Sequence, residues 1–73
     1  MKKGIYRHYK GNFYEVLELG LHSETLEEVV IYRSINEPNK VWVRPLSMWN
    51  EEVICNGEVV KRFTLVNEKE TKI

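Results

Sequence analysis

The sequence predicts an all-β fold built from short strands, and three observations carry that prediction. The 73 residues include no alanine, the strongest helix former. Valine, isoleucine and threonine together number seventeen and the aromatics add eight, a composition that suits a pleated, half-buried surface. Turn signals recur at such close spacing that no helix of useful length fits between them.

The elements follow in order along the chain. Gly4 to Lys10 reads as a first strand, closed by a Gly11-Asn12 turn. Phe13 to Leu21 is a longer strand in which Gly20 marks a bend or bulge. His22 to Glu28 is a polar connection; Thr25 and Glu28 have capping-box spacing, enough for a single helical turn. Val29 to Ile35 is a β-branched strand, followed by a turn at Asn36-Glu37-Pro38-Asn39, where Pro38 cannot donate to a ladder. Val41 to Arg44 is a strand stopped by Pro45, and Ser47 to Asn50 forms one 3₁₀ turn. Glu52 to Cys55 and Glu58 to Arg62 flank Asn56-Gly57, the strongest hairpin signal in the chain. Phe63 to Val66 adds an edge strand, and residues 67–73 read as a frayed, charged tail. Five or six strands in this order, with one turn before the last of them, point to a small SH3-like barrel. It spans residues 1–66 as one domain.

Composition also excludes function classes. Eleven basic residues balance eleven acids, so the chain lacks the excess charge of a general polyanion binder. All the acids are glutamates, which removes the usual calcium loops and any aspartate-based triad. Cys55 stands alone, so it forms neither an internal disulfide nor a cysteine zinc knuckle. Its setting reads as a half-buried strand position. No apolar run reaches the roughly 20 residues of a membrane span, and no apolar segment follows Lys2-Lys3 as in a signal peptide. The expectation is a cytoplasmic, reducing setting.

Charge is segregated within this balance. Residues 1–14 carry Lys2, Lys3, Arg7 and Lys10 and no acid, whereas residues 15–28 carry five glutamates and no Lys or Arg. Pairing of the two segments as a hairpin lets these charges meet across strands. His22 and Glu24 stand at i and i+2, and His8 is a third ligand candidate, the minimum for a catalytic zinc site. The competing reading has His22 and Glu24 bonding the loop backbone. No nucleophile, base and orienting group can be assembled around Cys55, so no catalytic residue, metal or cofactor is assigned.

Aromatics and arginines form the stronger constellation. Phe13, Tyr14 and Phe63 are first candidates for the core. Alternation sets Trp42 and Arg44 opposite Val41 and Val43, and Tyr32 opposite Val29 and Ile31. Tyr32, Trp42 and Arg44 are expected to form one surface patch with Arg33 or His22 at its rim, since Trp, Tyr and Arg dominate binding hot spots. In the alternative, Trp42 caps the core and Arg44 pairs with a glutamate. Tyr6-Arg7-His8-Tyr9-Lys10 interleaves rings with cations, as in a single-strand nucleic-acid platform.

Gly4-Ile5-Tyr6-Arg7-His8-Tyr9-Lys10-Gly11, Tyr14-Glu15-Val16, His22-Ser23-Glu24-Thr25, Val30-Ile31-Tyr32-Arg33, Val41-Trp42-Val43-Arg44-Pro45 and Met48-Trp49 together resemble the bacterial family numbered 1653 among domains of unknown function. Val60-Lys61-Arg62-Phe63 matches its closing segment, with Lys61 where the family carries proline. The resemblance implies a short, soluble, all-β, SH3-like bacterial protein without an established activity, and it transfers no catalytic residues. The reading is therefore a non-catalytic binding module, monomeric or weakly self-associating. It uses Tyr32, Arg33, Trp42, Arg44, His22, Glu24 and His8 to take a protein segment or a small anionic ligand. Nucleic-acid binding is the alternative, and a small enzyme or metal site at His8, His22 and Glu24 is third.

Overall fold

The computed structural model describes residues 1–68. Seven strands and one helical turn follow each other as β1 (Gly4–His8), β2 (Phe13–Leu21), β3 (Glu28–Ser34), β4 (Val41–Pro45), α1 (Leu46–Trp49), β5 (Glu52–Cys55), β6 (Glu58–Lys61) and β7 (Phe63–Glu68). A five-stranded antiparallel sheet runs in the order β4-β3-β2-β1-β7, and β5 and β6 form a separate two-stranded sheet.

Strands β1 to β4 form a meander because their turns are local, and β7 returns to pair with β1. Gly11 takes a φ of +106° between β1 and β2, a conformation that glycine adopts without strain. His22 and Leu26 close the β2–β3 connection, with the His22 amide donating to the Glu27 carbonyl and the Leu26 amide to the His22 carbonyl. The latter bond spans four residues and closes one isolated helical turn, over residues 22–26 rather than from Thr25, and no helix continues from it. At Asn56-Gly57 both residues have positive φ, 52° and 80°, the pairing that a type I′ hairpin turn requires.

One face of the sheet holds the core: Tyr6 from β1, Val16 from β2, Val30 and Tyr32 from β3, and Phe63 from β7. Trp49 enters this face from α1, 2 % exposed, and stacks parallel on Phe63 with ring centroids 3.6 Å apart. Tyr6 and Tyr32 meet Trp49 edge-on, at 5.4 and 5.0 Å. Burial raises the Tyr6 pKa, against the hydrogen bond its hydroxyl donates to the Lys2 carbonyl.

Several expectations are corrected. The fold is all-β, but the five-stranded sheet is open: its edges, β4 and β7, do not pair with each other. Pro45 ends β4 without an N–H to continue a ladder, α1 follows at once, and the tight turn pairs β5 only with β6. Phe13 is not core; it is exposed, while Tyr6, Tyr32 and Trp49 are buried. The bulge in β2 falls between Val16 and Glu18, not at Gly20. A Cβ at Gly20 would meet Ile31 Cδ1 at 3.5 Å and Val29 Cγ2 at 3.7 Å, ordinary contact distances, so the position does not require glycine for space. Strand β7 reaches Glu68, so Asn67 and Glu68 pair with Ile5 and Gly4 rather than fray. The rest of the expected tail, 69–73, lies outside the described residues. The opposed charges of the first hairpin meet only in part: Lys3 reaches Glu18 at 3.5 Å, but Glu15 turns to Arg33 on β3 and Lys2 to Glu68 on β7.

Candidate functional site

Register brings the patch together. Antiparallel pairing sets Tyr32 directly across from Trp42, and Val30 across from Arg44. The four therefore share one face, and that face is the core side, because Val30 is fully buried and Tyr32 nearly so. Val41 and Val43 point the other way into solvent, 56 % and 62 % exposed. The β-branched face of β4 is thus the outer one, the reverse of the usual pattern. Because β4 is the sheet edge, the core beneath Trp42 runs out, and the indole stays 49 % exposed.

The result is a cleft of about 470 Å³. Its aromatic wall is Tyr14, Tyr32 and Trp42; Asn12, Ser34 and Asn36 add hydrogen-bonding groups, and Arg44 and Glu37 bring charge. Tyr14 and Ser34 face each other across β2 and β3, which carries the loops holding Asn12 and Asn36 to the same end. Arg44 donates through Nε to the Tyr32 hydroxyl at 3.3 Å, and its guanidinium carbon lies 5.8 Å from the Phe63 ring centre. Among the described residues it forms no ion pair, so the alternative in which Arg44 pairs with a glutamate is not seen there. Glu37, at the rim, is within 3.7 Å of Lys40 instead.

His8 borders this cluster from β1. Its ring contacts Phe63 at 5.0 Å and Tyr14 at 6.2 Å. Burial lowers its pKa below the ordinary histidine value, and the neighbouring Arg62, Lys10 and Arg44 lower it further. Three cations thus act on this ring, of which Arg62 is itself paired with Glu51 at 3.0 Å.

The remaining expected members lie elsewhere. Arg33 alternates to the outer face, where Nε and Nη2 donate to Glu15 Oε1 at 3.0 and 2.7 Å. His22 sits at the far end of β2, on the order of 25 Å along the strand from Tyr14. Its Nδ1 accepts from the Glu24 and Thr25 amides at 3.2 and 3.4 Å, which makes it a loop brace. His8, His22 and Glu24 are not brought together, and the described residues contain no cluster of three or more His, Cys or Glu arranged to hold a metal. The Tyr6–Lys10 strand divides by alternation: Tyr6 and His8 face the core side while Arg7 is exposed. Tyr14, Asn12, Ser34, Asn36 and Glu37 were not anticipated as cleft residues. Their sequence signals are those of turns and core, and only the β2–β3 register gathers them.

A second cleft of about 470 Å³ opens on the other side of Trp49 and Phe63, beside Tyr6, Leu46 and Lys61. It gathers fewer hydrogen-bonding side chains around its one cation.

An open all-β sheet carrying an aromatic and arginine cleft at one end defines a small domain without an assembled catalytic set among the described residues. The chain matches the family described as "Protein of unknown function (DUF1653)" over residues 4–65, and it belongs to that family. It is similar to a crystal structure of a DUF1653 protein from Bordetella bronchiseptica, at 34 % identity and a TM-score of 0.82, over 99 % of this chain and 95 % of that one. No curated protein matches the chain.

Proposed function

We propose that the chain is a non-catalytic binding module that takes an anionic group, borne by a protein segment or a small molecule, in the Arg44 cleft. The observation that carries this reading is Arg44 itself: a half-buried guanidinium, held by one phenolic oxygen, without a carboxylate partner among the described residues and in the same cleft as an exposed indole. Arginine presents a planar fork of donors that matches carboxylate and phosphate, and an exposed Trp offers a surface for an apolar neighbour of that anion. The cations acting on His8 favour the same sign of ligand. The meander of four strands, the single helical turn and the return of β7 beside β1 support an SH3-like reading of the architecture. Cys55, free and half-buried, accords with a reducing cytoplasm.

The test is a titration of intrinsic tryptophan fluorescence, since Trp42 is exposed and Trp49 is not. Inorganic phosphate and a capped glutamate-rich peptide are the probes. A charge-assisted hydrogen bond contributes about 1.5–3 kcal/mol, so Arg44→Ala should weaken binding roughly ten- to hundredfold. Equal affinity in Arg44→Ala, or no saturable response to either probe, overturns the reading.

A further inference from the structure

We propose that β4 pairs with β4 of a second copy, antiparallel and centred on Val43, so that each Trp42 faces Arg44 of the other chain. This goes beyond the cleft's ligand, and it supplies the cleft with a wall from the partner copy.

The sheet leaves β4 with one side unpaired. A bare strand edge presents a row of N–H and C=O groups to any chain that can join it, and proteins blunt such edges with charges, prolines or bulges. Here Lys40 lies outside the pairing, and Pro45, across from Val41 of the other copy, withholds one donor at each end of the ladder while Val41 and Val43 keep theirs. Pro45 lacks an N–H and fits the position whose donor side faces away from β3. Alternation then turns the backbone groups of Val43 and Val41 to the open edge as well. Centring on Val43 makes the two copies of that residue a hydrogen-bonded pair, each amide donating to the other's carbonyl.

Register is chosen by chemistry. With Val43 at the centre, Trp42 lies across from Arg44 on the core side, twice over, and an arginine over an indole is an attractive pair. Trp42 is exposed and Arg44 has no carboxylate partner among the described residues, so both are available there. Centring on Trp42 instead would set Arg44 against Lys40, and centring on Arg44 would oppose two guanidiniums; like charges directly across a ladder are unfavourable. On the outer face the same pairing lines up the exposed Val41 and Val43 of both copies as one apolar strip. Five residues per copy make a small interface, under about 1,200 Å², so association is weak and concentration-dependent.

Sedimentation equilibrium from micromolar to millimolar protein tests this. The wild-type mass should rise toward twice the monomer value. Val43→Lys and Val43→Glu, each checked for fold by circular dichroism, should stay monomeric alone, because identical charges would meet at the centre. An equimolar mixture of the two should recover the dimer. A wild-type protein that stays monomeric at millimolar concentration, a Val43→Lys variant that self-associates like wild type, or a mixture that does not recover the dimer overturns the proposal.

Discussion

Arg44 is held lightly, by the Tyr32 hydroxyl on one side and the Phe63 ring on the other, while Arg33 is held by two contacts to one carboxylate. The difference is one of face, and alternation along β3 and β4 made the faces legible in the sequence. Which face was inner was not legible. The valines of β4 look like a core row, and only the edge position of β4 explains why they meet solvent instead. Tyr14 was legible as core and Asn12 as a turn, but not their place in the cleft, since a side chain's neighbours across strands depend on register and not on local pattern. His8 gives a prediction at this scale. Its folded-state pKa lies below the ordinary value of about 6.5, which the unfolded chain keeps. The unfolded state therefore binds the proton more readily, so this contribution to stability is present above about 6.5 and is lost as pH falls through the folded pKa. The melting temperature of wild type should fall more steeply below pH 6.5 than that of His8→Gln, and equal slopes by calorimetry would remove His8 from the account. An anion seated at Arg44 would offset the cations around His8, so binding should tighten on the acid side of the same range.

Elements with local signals were read well. Asn56-Gly57 sits where its dipeptide requires, with Cys55 across from Glu58, and the turn at Pro38 separates β3 from β4 as expected. A Cβ at Gly57 meets nothing within 4 Å, so its constraint is conformational and not steric. Gly57→Val should then cost about 1–2 kcal/mol, the penalty for a side chain in the left-handed region. In a domain of this size that lowers the melting temperature by on the order of 5–15 °C. An unchanged melting temperature would show that the β5–β6 hairpin adds nothing to stability. Elements set by distant partners were read poorly. The β2 bulge and the last two residues of β7 answer to strands β3 and β1, which no short window of sequence contains.

For the whole molecule, an all-β class followed from composition, but closure did not. A barrel hides both edges of its sheet, whereas among the described residues β4 and β7 each keep one side unpaired, and Trp49 packs on the core face of the open sheet. Openness at β4 is what exposes Trp42 and makes the cleft in which Arg44 lies. The central claim is that this cleft takes an anion, and it predicts where the signal must appear. Nuclear magnetic resonance of the ¹⁵N-labelled domain, titrated with inorganic phosphate and then with the glutamate-rich peptide, reads that location directly. The account predicts saturable shifts at the Arg44 Nε–H and the Trp42 indole, with the Asn12 and Asn36 side-chain amides following and the Trp49 indole and the His22 loop unmoved. Saturable shifts centred on the His22 loop or on the Lys61 side of Trp49, with Arg44 silent, would contradict it.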